Sequence, residues 1–142
     1  MTLRVGDMTN VVQQRLKPRV LVVDDDPQAR AYTRAVLERA GVEVVEAATG
    51  NEALAKLMGE HFDLVCLDLS LPETSGFDIL AELARAPRGN LPMLVLSARG
   101  LPIDRAHAEE LGAAGYLTKP FAPDALIQRV EALVARAGKQ AG

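Results

Sequence analysis

Four short runs along the chain are near-continuously apolar: residues 20–23 (Val-Leu-Val-Val), 42–45 (Val-Glu-Val-Val), 64–67 (Leu-Val-Cys-Leu) and 93–96 (Met-Leu-Val-Leu). A fifth, residues 115–118 (Gly-Tyr-Leu-Thr), is mixed. Turn residues bound each run, which predicts short strands covered on both faces. The stretches between them have helical periodicity. In the first, Ala29, Tyr32, Thr33, Val36, Leu37 and Ala40 share one face, with Pro27 suited to the first turn and Gly41 to the stop. Thr49-Gly-Asn-Glu52 has capping-box spacing for a second helix carrying Leu54, Leu57 and Met58. A third is predicted over 76–86 with Phe77, Leu80, Leu83 and Ala84 inward, and a short, alanine-rich fourth over 104–111. A fifth starts near Pro123 and buries Leu126, Ile127, Val130, Leu133 and Val134. Residues 1–17 lack a clear period and are expected to be a flexible tail; 138–142 are expected to fray. Residues 18–137 are then the folded domain.

Five alternating strand–helix units predict an α/β fold: a parallel sheet with helices on both faces and right-handed crossovers. In such folds ligands bind at the carboxyl ends of the strands, where the strand order reverses.

Composition narrows the function classes. The chain has 142 residues, 49% of them hydrophobic and 25% charged, which fits one soluble globular domain and excludes wholesale disorder. The net charge of −3 offers no basic excess to drive nucleic-acid contact, so none is expected. The single cysteine, Cys66, excludes an internal disulfide and fits a reducing compartment. The apolar runs are too short to span a bilayer, and no apolar signal segment opens the chain. A cytoplasmic protein without membrane contact is expected.

The residues just past each predicted strand carry the chemistry. They are Asp24-Asp25-Asp26 after the first, Asp68 after the third, Ser97-Ala98 after the fourth and Thr118-Lys119-Pro120 after the fifth. The second ends in uncharged Ala47-Ala48-Thr49, as an outer strand would. Gathered carboxylates repel by about 4 kcal/mol per pair at about 4 Å and an effective dielectric near 20. A divalent cation removes that cost, and an all-oxygen set suits Mg²⁺ with a phosphate nearby. Lys119 supplies a positive point charge for such a phosphate and Ser97 a hydroxyl donor. No Ser/His/Asp set, Cys–His pair or GxxxxGK[ST] loop is present. An aspartate can itself be the nucleophile, and Asp68, alone on the middle strand, is the natural candidate. Taken singly, each residue has a plainer use: Asp24 to Asp26 as helix caps, Ser97 in a turn, Lys119 as a solvated charge. Cys66 reads as core, His61 and His107 as surface residues, and Tyr116 as a half-buried aromatic.

Over residues 18–137 the sequence resembles a receiver domain of the two-component response regulators. The resemblance is carried by Val-Leu-Val-Val-Asp24-Asp25-Asp26-Pro27, Leu-Val-Cys-Leu-Asp68-Leu-Ser-Leu-Pro72-Glu-Thr-Ser-Gly76, Leu-Ser97-Ala98-Arg99 and Gly-Tyr116-Leu-Thr-Lys119-Pro120-Phe121. It implies a flavodoxin-like, doubly wound five-stranded sheet of order 2-1-3-4-5. It implies Asp68 as the phosphoacceptor, and Asp24, Asp25, Asp68 and the backbone carbonyl of Ser70 around Mg²⁺, or Mn²⁺ in its place. It implies Lys119, Ser97 and small Ala98 at the phosphoryl group. Ser97 and Tyr116 are the implied switch pair, Tyr116 moving inward on phosphorylation, and Pro120 follows a peptide bond usually cis in this family. The implied donor is a sensor histidine kinase or a histidine phosphotransferase, and the implied role is signalling rather than enzymatic turnover. A downstream protein would read the face of the fourth helix, fifth strand and fifth helix. Many members carry acidic residues where this chain has Ala114 and Gly115, so residues 113–116 make a small, weakly charged patch. A monomer or weak dimer is expected from that loss. Other readings are a small Mg²⁺-dependent phosphatase or phosphotransferase with an aspartyl intermediate, and a pseudo-receiver acting without phosphorylation. The chain fits a stand-alone receiver or part of a longer regulator.

Overall fold

The computed structural model describes residues 17–69, 76–85 and 91–141, those after 137 by their backbone alone. Strands and helices alternate as β1 (Arg19–Val23), α1 (Pro27–Arg39), β2 (Glu43–Ala47), α2 (Gly50–Gly59), β3 (Leu64–Asp68), α3 (Gly76–Arg85), β4 (Met93–Ser97), α4 (Pro102–Glu110), β5 (Gly115–Thr118) and α5 (Pro123–Ala141). All four strand pairings are parallel, in the order β2-β1-β3-β4-β5. Among the described residues no helix is long and apolar enough to cross a membrane.

The continuous apolar strands are buried on both faces, as a parallel sheet requires. Side-chain alternation divides the core. Leu21, Val23, Val65, Leu67, Met93 and Val95 point to the face covered by α2, α3 and α4, where Ala53, Ile79, Leu80, Leu83 and Ala108 meet them. Val20, Val22, Leu64, Cys66, Leu94 and Leu96 point to the face covered by α1 and α5, against Val36, Leu37, Leu126, Val130 and Leu133. Cys66 is thus core, and its burial pushes the thiol pKa up to about 12.

Local signals set the helix ends. Asp26 is the N-cap of α1, its carboxylate accepting the Gln28 N–H at 3.0 Å. Thr49 caps α2, its Oγ1 accepting the Glu52 N–H at 3.1 Å, while the Glu52 carboxylate reaches one residue beyond the reciprocal box, to the Ala48 N–H at 2.8 Å. Gly41, at φ 87°, turns the chain out of α1. Gly76 admits α3 directly beside the backbone after β3, where a Cβ would lie 2.0 Å from the Leu69 carbonyl oxygen.

Several boundaries and faces differ from the sequence expectation. β2 begins one residue later than the apolar run and extends two further. Val42 is still held by the helix stop, its N–H on the Leu37 carbonyl, while the ladder to β1 runs from Glu43 to Ala47. Tyr32 lies outward at 46% exposure, with its ring tilted against Phe121 at 6.2 Å. Ala40 is exposed as the helix cap, and Met58, in the last turn of α2, is 72% exposed. α4 starts at Pro102, which fills its first-turn position. The α5 backbone stays helical to Ala141, through residues expected to fray.

Candidate functional site

Parallel pairing brings every strand's carboxyl end to one edge of the sheet, and the order reverses between β1 and β3. Asp24 and Asp25 follow β1 there, and Asp68 is the last residue of β3. Each of these three carboxylates offers one oxygen within 4.8 Å of the others. Asp24 and Asp68 are buried, at 2% and 6% exposure, while Asp25 is open to solvent.

Asp24 is fixed at four points. Its N–H bonds the Ala47 carbonyl at 3.1 Å, and its own carbonyl accepts Arg30 Nη1 at 2.8 Å. Oδ1 accepts the Asp26 N–H at 3.0 Å, and Oδ2 accepts Lys119 Nζ at 3.1 Å. Lys119 also reaches Asp68 Oδ2 at 3.5 Å. Burial by itself would lower the Lys119 pKa, but the charges of Asp68 and Asp24 outweigh it and hold the ammonium above its ordinary value. The same lysine anchors its backbone beside Ser97, whose carbonyl accepts the Lys119 N–H at 2.7 Å. The Lys119–Pro120 bond is cis.

Ser97 ends β4 and is buried. Its Oγ accepts the Arg99 N–H at 3.0 Å, and the Tyr116 hydroxyl donates to the Arg99 carbonyl at 2.5 Å. One residue of the β4–α4 connection therefore bridges the hydroxyl and the aromatic. Tyr116 is 3% exposed, so the ring expected to move inward is already in. Two arginines contact this residue: Arg105 sits over the ring at 5.3 Å and bonds Thr118 Oγ1, and Arg129 donates to the Tyr116 backbone carbonyl at 3.3 Å. The patch expected to be weakly charged is therefore flanked by two guanidiniums. Among the described residues neither has a carboxylate in ion-pair range. Leu101, at the end of the same connection, and Ile103, in the first turn of α4, are exposed beside it.

The structure thus places Asp24, Asp25, Asp68, Lys119, Ser97 and Ala98 at one edge. Ser70 lies outside the described residues. The capping role weighed for the first acidic run falls to Asp26 alone. His61 and His107 are exposed, with His107 stacked on Phe77 at 4.3 Å between ring centroids. Sequence reading missed the bond from Arg30 to Asp24. On a helical wheel Arg30 is one more polar-face residue, and only the path of β2 shows where its guanidinium goes.

Within this architecture, a sequence model of the response regulator receiver domain matches residues 20–131. The chain belongs to that family: it is a receiver domain of the two-component response regulators. It is similar to the transcriptional regulatory protein ResD of Bacillus subtilis, with 34% identity over 128 residues, 90% of this chain and 52% of that protein. To PrrA of Mycobacterium tuberculosis, also a transcriptional regulatory protein, it is 41% identical over 124 residues, 87% of this chain and 53% of that one. The chain spans about half the length of these curated relatives. RpaA of Synechocystis, 38% identical over 84% of this chain and 50% of its own length, is named a DNA-binding regulator. The expectation of no nucleic-acid contact therefore does not extend to a longer protein of this kind. Among solved structures, a CheY-like receiver domain protein of Methanospirillum hungatei superposes with TM-score 0.81 at 29% identity, over 87% of this chain and 98% of that one. The receiver domain of Francisella response regulator 1452 gives 0.79 at 32% identity, over 84% and 98%.

Proposed function

We propose that Asp68 accepts a phosphoryl group from a partner phosphohistidine in a Mg²⁺-dependent reaction, and that phosphorylation changes a surface read by another protein. The observation that carries this reading is the convergence of three carboxylates within 4.8 Å, with Lys119 3.5 Å from Asp68. The donor set fits a hard divalent cation: all oxygen, two carboxylates buried, and one nearby lysine to offset three negative charges. Asp24, Asp25 and Asp68 would hold it, and Mg²⁺, when bound, would neutralise charge on the phosphoryl oxygens.

In the transfer, a carboxylate oxygen of Asp68 forms a bond to phosphorus while the bond from phosphorus to the donor imidazole breaks, the electron pair leaving with that nitrogen. Lys119 pairs with one phosphoryl oxygen, and Ser97 turns its hydroxyl toward another. Exposed Ala98 puts no bulk in the way of the incoming group. Water ends the signal by cleaving the acyl phosphate, which releases inorganic phosphate and restores the Asp68 carboxylate. The phosphoryl group brings strong acceptors to Ser97, in competition with its present bond to the Arg99 N–H. The Arg99 carbonyl holds the Tyr116 hydroxyl, so a shift of this residue reaches the β5 surface and biases an existing equilibrium. Arg105, Arg129, Leu101 and Ile103 suit an acidic, amphipathic partner segment on that face.

The test is to incubate the chain with a small phosphodonor and Mg²⁺, reduce the acyl phosphate with borohydride, and map the peptides. Modification at position 68 supports the reading; modification confined to another residue refutes it.

A further inference from the structure

We infer that Arg30 is a positioning residue for the acidic cluster, orienting the peptide between Asp24 and Asp25 and depending on Glu46 to be held and neutralised. The inference rests on the reading of Asp24, Asp25 and Asp68 as the metal centre. The carbonyl of Asp24 lies in the peptide plane that leads into Asp25, so rotating it moves both carboxylates. Arg30 Nη1 holds that carbonyl at 2.8 Å while Nε of the same guanidinium holds Glu46 Oε1 at 2.8 Å. A planar fork bound at two points fixes direction as well as distance.

Glu46 is itself well anchored. Its other oxygen accepts Arg34 Nη1 at 2.5 Å, and its carbonyl accepts Lys56 Nζ at 2.6 Å. The chain of contacts therefore runs from the β2 edge through α1 to the end of β1. A lone cation beside a cation-binding cluster would repel the metal. Paired with Glu46, Arg30 provides geometry without that net charge.

Charge and positioning predict opposite signs, which makes the inference testable. Arg30→Met removes a positive charge near the cluster, so a purely electrostatic role predicts tighter divalent binding. A positioning role predicts weaker binding, by roughly tenfold, as for other groups that orient metal ligands. Arg30→Lys keeps the charge but cannot span both acceptors, and should weaken binding as well. Glu46→Gln frees Arg30 and leaves its charge uncompensated, so it weakens binding too. The Arg30→Met/Glu46→Gln double variant should be no weaker than Arg30→Met alone, because both act through one contact chain.

The measurement is the dissociation constant of Mg²⁺ alone, by calorimetry on the full chain, with each variant's amide spectrum and melting temperature in EDTA recorded to confirm the fold. Weaker binding by Arg30→Met and Arg30→Lys, with a non-additive double variant, supports the inference. Unchanged or tighter binding by Arg30→Met, or additive losses in the double variant, overturns it while leaving the metal centre standing. If the unaltered chain binds no Mg²⁺ at millimolar concentration, the metal centre itself is overturned and the inference with it.

Discussion

Replacing Asp68 by Asn keeps the shape of the side chain and removes one charge from a cluster of three. Its carboxylate lies within 4.8 Å of those of Asp24 and Asp25. At an effective dielectric near 20, each repulsion is then about 3.5 kcal/mol. The opposing attraction to Lys119 Nζ at 3.5 Å is about 4.7 kcal/mol on the same scale. Set against Lys119 alone, the two repulsions exceed the attraction by about 2 kcal/mol. Asp25 is exposed, however, and solvent and salt screen its share, so about 1 kcal/mol of relief remains. In EDTA, Asp68→Asn should therefore melt roughly 3–5 °C above the unaltered chain. Mg²⁺ should reverse the order. At about a hundred times its dissociation constant, a ligand of the folded state adds about 2.7 kcal/mol. The unaltered chain should gain most of this, and the variant, with a metal ligand weakened, much less. Calorimetric melting with and without Mg²⁺ reads both effects. A variant that melts well below the unaltered chain in EDTA would refute the reasoning, because the native partners of Asp68 would then outweigh the repulsion.

Burial that pushes the Cys66 thiol up to about 12 should leave it unreactive toward iodoacetamide at neutral pH until the chain unfolds; alkylation of the native protein would contradict its placement in the core. Hydrogen bonds from Arg34 and then Arg30 outweigh partial burial and hold Glu46 below the ordinary glutamate value. Folding thus favours its carboxylate form, and the contribution is present above the unfolded-chain pKa of about 4.3 and lost as pH falls below it. The stability difference between the unaltered chain and Glu46→Gln, followed by urea melts, should accordingly shrink from pH 6 to pH 3; a difference that does not change with pH would exclude this linkage. Light scattering at tens of micromolar should find a monomer or weak dimer before phosphorylation, whereas a tight dimer broken by Arg129→Glu would place self-association on the β5 face.

Strand number and the acidic edge were legible because a parallel sheet buried on both faces leaves continuous apolar runs with chemistry at their ends, whereas the full strand order came from the family resemblance. The central strands β3 and β4 match the apolar runs to within a residue. Only β2, an edge strand with polar alternation, was misplaced, its start set by the turn at Gly41 rather than by hydrophobicity. The outward Tyr32 shows the limit of a helical wheel, which counts an aromatic as core when it can instead lie along the surface against Phe121. The clustering of Asp24, Asp25, Asp68 and Lys119 followed from strand ends alone. The Arg30 contact did not, because it depends on how α1 crosses the end of β2. The basic flank of Tyr116 also depends on long side chains, Arg105 and Arg129, whose reach sequence spacing does not give.

The most direct test of the phosphoacceptor reading is the intact mass of the chain after incubation with a small phosphodonor, with Mg²⁺ or with EDTA, alongside Asp68→Asn. The account predicts one phosphoryl adduct on the unaltered chain in Mg²⁺, little or none in EDTA, and none on the variant. An adduct of equal yield on Asp68→Asn, or no adduct on the unaltered chain in Mg²⁺, would contradict it.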